Sequence, residues 1–292
     1  MNRLPPNIQT ILILMLFILL SGISGQNPYV RFYPLTIEDG LSQNTVSSII
    51  QDKHGFLWFG TEDGLNKYDG YDFAVYRHDP ADSSSISSNN ILSLYEDSKG
   101  FLWVGTKDGG LNKFDQHTAT FTHLKYDRED TSTLSDNQVL SMCEDSNGNI
   151  WVGTWEGLNK LNPSTGEVNR YYNESNDVTT LSDNRIKSIL CDSQNRLWIG
   201  TAKNGVCLYS PDSDAFERYL PSKDLSQPKD IRDIYEDNNN DIWFATESGI
   251  AKYNQFLNTI ESISDSAPKN IMQIIQDKNS NLWFCTEKEG LT

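Results

Sequence analysis

Six tryptophans, Trp58, Trp103, Trp151, Trp198, Trp243 and Trp283, recur at spacings of 45, 48, 47, 45 and 40 residues. A period in this range marks a chain of stacked units, none of which can bury its apolar faces alone. The segments around the indoles align without gaps at first. They read GFLWFGTEDGLNKYDG (55–70), GFLWVGTKDGGLNKFD (100–115), GNIWVGTWEGLNKLN (148–162), NRLWIGTAKNGVCLYS (195–210), NDIWFATESGIAKYN (240–254) and SNLWFCTEKEGLT (280–292). Each unit divides into four short extended runs. An apolar-rich run comes first, as in Val46–Gln51, Val139–Glu144 or Ile186–Cys191. The tryptophan run follows, as in Phe56–Gly60, and a glycine-containing turn leads to a third, as in Leu65–Asp69. The fourth is aromatic and alternating, as in Phe73–His78, Phe121–Tyr126 and Val168–Tyr172. Helical spacing is absent, and short runs with β-branched and aromatic members favour strands. Four strands per ~46 residues make one blade, so the expected fold is an all-β propeller of four-stranded blades.

The turns support this division. Asp52, Asp97, Asp145, Asp192, Asp237 and Asp277 each stand six residues before a tryptophan. Three residues after them come Gly55, Gly100, Gly148, Asn195, Asn240 and Ser280. Asp opening a type I turn with Gly three positions on is a known preference. That last position favours left-handed backbone, which Gly tolerates best and Asn next, so Ser280 predicts a looser turn. The tryptophan strand lacks strict alternation, as expected for a blade sandwiched between two others. Gly60, Gly105, Gly153 and Gly200 leave room for the adjoining blade, and Ala245 and Cys285 enlarge that position.

Residues 29–292 hold about six units, the sixth stopping as its third strand begins. Tyr29–Leu35 resembles an orphan fourth strand, and LSQN (41–44) resembles the LSDN linkers at 134–137 and 181–184. Rings commonly close by pairing such an N-terminal strand into the last blade, which removes the open sheet edge. The expectation is a C-terminally truncated ring that exposes two apolar blade faces and self-associates. Upstream, Ile11–Leu20 is an apolar run followed by Ser21, Gly22, Ser24 and Gly25. This predicts an export signal over residues 1–25 and a periplasmic mature chain. With 24 Lys and Arg against 40 Asp and Glu the net charge is −16, which disfavours nucleic acid and anionic membrane surfaces.

Repetition also bears on chemistry. The six aspartates and Thr61, Thr106, Thr154, Thr201, Thr246 and Thr286 serve every unit alike, so they read as turn and inter-blade hydrogen-bonding groups. His54, His78, His117 and His123 fall in no metal-binding or catalytic spacing, and no metal or cofactor is expected. Cys143, Cys191, Cys207 and Cys285 lie within strands and read as buried free thiols. Arg170 and Arg218 fall on fourth strands at the outer rim, so the arginine cluster of a sialidase is missing. No nucleophile elbow or phosphate loop occurs. One position breaks the repeat: Trp155 stands in a second-to-third-strand turn where the other units carry Glu62, Lys107, Ala202, Glu247 or Glu287. Trp155 with Glu156 is a candidate ligand surface, an indole able to stack on a sugar ring or grip a partner. Lys107, Asp108 and Lys203 occupy the corresponding turns of neighbouring units and complete the candidate set.

The [IL]W[VIF]GT core, the following DGLNK or EGLNK and the LSDN linkers resemble the two-component regulator propeller over about residues 29–292. The resemblance implies the extracytoplasmic sensor region of a hybrid two-component system. In that family two seven-bladed propellers precede a β-sandwich, a membrane helix, a histidine kinase and a receiver. It implies a periplasmic sensor module that responds to oligosaccharides, is not itself an enzyme, and has a histidine kinase as its downstream partner. Two other readings stand beside it: a structural or protein–protein (dimerisation) propeller, and a secreted propeller enzyme.

Overall fold

The computed structural model describes residues 33–219, 229–263, 268–288 and 290–291. The predicted export signal and most of the predicted orphan strand lie outside them. Residues 33–35 carry no regular structure. The compact unit that begins at Thr36 contains six antiparallel sheets, each with its strands in sequence order. Five have four strands and the sixth has three. They form a β-propeller of six blades. The innermost strands are Val46–Gln51, Ile91–Glu96, Val139–Glu144, Ile186–Cys191, Ile231–Glu236 and Ile271–Gln276. They surround a central channel of about 540 Å³.

Each blade is built around one carboxylate. The aspartate before the tryptophan strand accepts turn N–H groups with one oxygen, as Asp97 does from Lys99 and Phe101. Its other oxygen accepts the indole Nε1–H of the tryptophan six residues on, at 2.8–3.0 Å in all six blades. A buried indole N–H needs a partner, and this turn supplies one from within the blade. The third residue after the aspartate has positive φ throughout: 91°, 84° and 78° at the glycines, 61° and 64° at Asn195 and Asn240, and 66° at Ser280. Ser280 closes the same turn as the others, its N–H donating to Asp277 at 3.0 Å, so the looser turn expected there is not found. The threonines take the expected turn role within each blade. Each hydroxyl donates to a carbonyl of its own blade's next turn, as Thr61 does to Gly64, and three also meet the serine of the preceding linker.

The blades are joined by other residues. A Cβ at Gly60, Gly105, Gly153 or Gly200 would fall 2.6–2.7 Å from Ile91, Val139, Ile186 or Ile231 of the following blade, so close approach requires glycine there. Core clusters correspondingly span neighbours: Trp58 and Leu65 of blade 1 pack with Leu94, Val104 and Phe114 of blade 2. In blades 2 to 6 the residue just before the turn aspartate reaches back one blade. Glu96, Glu144, Glu236 and Gln276 accept the backbone N–H of Lys53, Ser98, Ser193 and Asn238 at 2.6–2.9 Å. In blade 4 that position is Cys191, and it reaches back to blade 3 as a disulfide with Cys143. The expectation of four buried free thiols is therefore corrected. Two of the four are bonded, Cys207 is buried, and Cys285 is exposed.

The linkers are clasped in the same repeating manner. Leu41, Ile86, Leu134 and Leu181 are buried, and the next residue's N–H donates to Asn66, Asn112, Asn159 or Cys207 of the blade that follows. Arg170 and Arg218 donate to linker carbonyls, at Thr133 and Asp130 for the first and Thr180 and Asp177 for the second. They are structural clasps.

Candidate functional site at the channel mouth

The first and second strands of every blade pair with one irregularity at the same place. The register jumps from residue one to residue three of the first strand, leaving Ser47, Leu92, Leu140, Lys187, Arg232 and Met272 unpaired. A bulge re-aims the side chain of the extra residue. Five of these six side chains converge with Trp155 and Glu287 on a cavity of about 350 Å³ at the end of the channel that bears the linkers.

The cavity is apolar on the side of blades 2 and 3, through Leu92 and Leu140. It is cationic on the side of blades 4 and 5. Asp230 bridges Lys187 at 2.6 Å and Arg232 at 3.2 Å. Glu287 stands 3.9 Å from Arg232 and is half-exposed. Trp155 anchors its turn by donating its backbone N–H to Gln138, and it leaves 38% of its surface exposed. The Arg185 guanidinium lies 4.0 Å from the indole ring centre, a cation–π contact that fixes one side of the ring. Below the mouth the channel is lined by Ser48, Ser93, Ser141 and Ser188 and then, in blade 5, by Asp233. The Asp233 carboxylate accepts the N–H of Ile234 and, across the blade junction, that of Ile274 at 2.9 Å. Burial pushes its pKa up to about 7, against the opposing effect of those two donors.

Of the sequence-predicted ligand residues, the structure brings only Trp155 into the cavity wall. Glu156, Lys107 and Lys203 are exposed, and Asp108 accepts the Ser88 hydroxyl. The bulged ring and Arg185 were missed. The available signal was the variability of one position, Ser, Leu, Leu, Lys, Arg, Met, between a Val or Ile before it and a mostly serine position after it. A larger polar notch of about 610 Å³ lies at the other end of the blades, beside Cys191. It sits where blade 4 lacks the glutamate that reaches back from blades 2, 3 and 5.

The family model for the two-component regulator propeller matches residues 40–63, 85–108, 133–156, 180–203 and 225–248, each spanning the first two strands of a blade. These blades are two-component regulator propeller repeats. The chain is 33% identical to the extracellular domain of a hybrid two-component system of B. thetaiotaomicron, with a TM-score of 0.78 over 89% of this chain and 34% of that one. It is 46% identical over 80 residues to histidine kinase P4 of Formosa agariphila, spanning 27% of this chain and 6% of that protein. Virginiamycin B lyase of Staphylococcus aureus shares the fold at 16% identity, with a TM-score of 0.62 over 83% of this chain and 77% of that one. The chain thus spans about a third of the solved extracellular domain it matches. Among the described residues no helix is long and apolar enough to cross a membrane.

Proposed function

We propose that this propeller is the ligand-detecting module of an extracytoplasmic two-component sensor and that it detects oligosaccharides at the channel mouth. The observation carrying this reading is the convergence of the bulged side chains and the exposed Trp155 indole on one cavity. Residues that do not repeat, placed by an element that does, are what a recognition site on a repeat scaffold requires. The fold and the repeats support the sensor assignment through the extracellular domain they resemble. Binding there acts by shifting a population between signalling states and involves no bond-making, with a histidine kinase as the downstream partner. Titration calorimetry of the purified chain against oligosaccharide pools tests this. Saturable heat that is lost in Trp155→Ala is expected, whereas turnover of any glycan, or saturable binding untouched by that substitution, would overturn the reading.

A further inference from the structure

The whole chain carries a charge of −16, yet three cations from adjacent blades meet at this mouth: Arg185 and Lys187 of blade 4 and Arg232 of blade 5. One partly buried carboxylate, Asp230, is shared between Lys187 and Arg232. Glu287 lies beyond hydrogen-bonding distance of Arg232. Among the described residues Arg185 has no carboxylate partner, and its buried Nε–H has no hydrogen-bond acceptor. Against Asp230 and Glu287 the three cations leave one positive charge over, and the Arg185 Nε–H is unsatisfied. Acids more than roughly 8 Å away add little to this balance, because their fields are screened at physiological salt. A neutral sugar could accept hydrogen bonds here but would leave the charge unmatched. A partly desolvated cation cluster favours an anion by charge-assisted hydrogen bonds.

Resting on the sensor reading above, we propose that the mouth takes the acidic end of an anionic oligosaccharide. Its carboxylate or sulfate is held by Lys187, Arg232 and Arg185, and its sugar ring lies against the exposed part of Trp155. The apolar wall of Leu92 and Leu140 faces the less polar side of the sugar. The bulges explain why Lys187 and Arg232 point to the axis and not into the blade junctions.

The test is calorimetric titration of the full chain with three probes: trigalacturonate, a sulfated galactan disaccharide, and neutral galactotriose. At least one charged probe is expected to bind at least tenfold more tightly than the neutral one, with affinity falling as salt rises. The two charged arms distinguish carboxylate from sulfate. Arg232→Met and Lys187→Met should each weaken that binding about tenfold. Because either change also releases Asp230, Leu92→Glu provides an independent variant: it adds an acid to the same rim without touching the ion pairs, and should also weaken binding. Thermal melts confirm that each variant is folded. Equal binding of neutral and charged probes, or binding insensitive to Leu92→Glu, overturns the anionic assignment and leaves the sensor reading standing. If neither charged probe binds, the assignment fails; if neutral oligosaccharide pools are also silent, the sensor reading fails with it.

Discussion

At the scale of single residues, the repeat made some roles legible and concealed others. The Gly, Asn and Ser series three residues after each aspartate is a steric statement, readable because only certain residues tolerate left-handed backbone. The bond from each indole to that aspartate was not readable, since a six-residue spacing across a turn does not say which way a ring points. Asp233 was hidden differently, as one acid at a position that is serine in four blades. It carries a pH prediction. Its folded-state pKa of about 7 lies above the ordinary carboxylate value of about 3.9, so the folded chain holds a proton that the unfolded chain has released. Stability from this group is complete below about pH 4 and declines as pH rises to about 7, because ionisation then costs more in the folded state. Melting temperatures of the native chain and Asp233→Asn should therefore diverge between pH 4 and pH 7, with the native chain losing ground. Parallel curves would show that the carboxylate is solvated or already ionised.

At the scale of elements, strands and turns followed from periodicity, but the pairing register did not. Residue pattern fixes which runs are extended. It does not reveal that six first strands each leave one residue unpaired, and so the cavity-lining side chains were missed. The blade junctions show the same limit. The acid or amide before the turn aspartate in every blade but the fourth was visible as a recurrent residue, while its reach to the preceding blade depends on which face of the strand it occupies. Once that face is known, Cys191 at this position and Cys143 one residue earlier in its own repeat must face each other across the junction of blades 3 and 4. The bond closes a sequence separation of 48 residues, for which chain-entropy arguments give about 2–4 kcal/mol. Reductant, or Cys143→Ser, should lower stability by that order in denaturant melts. The double variant Cys143→Ser, Cys191→Glu should recover about 1 kcal/mol, because the glutamate can accept the Ser146 N–H as its counterparts do in other blades. Identical melts with and without reductant would mean that the two sulfurs contribute no staple.

At the scale of the whole molecule, the inner blades and the two terminal ones differ in what they cover. Ile49 of blade 1 is 54% exposed, whereas its counterparts Leu94, Met142, Ile189, Ile234 and Ile274 are 1–9% exposed because each packs on a preceding blade. On blade 6, Ile275 and Leu291 are half-exposed, and Trp283 is less buried than Trp58, Trp103, Trp151 and Trp198. The arrangement leaves two sheet faces of matching apolar character, and apolar surface of this kind drives association in water. Repetition made this legible, since any unit that stacks on its neighbours must leave faces uncovered wherever a neighbour is missing. The chain as given should accordingly self-associate at micromolar concentration, as measured by light scattering coupled to size-exclusion chromatography. Lysine at both Ile49 and Ile275 should shift it towards monomer, because each substitution places a charge on a face that must desolvate to pair. Channel-mouth binding should survive that double change, since neither residue lines the cavity. A native chain that runs as a monomer throughout, with the double variant indistinguishable from it, would show that these faces do not drive association.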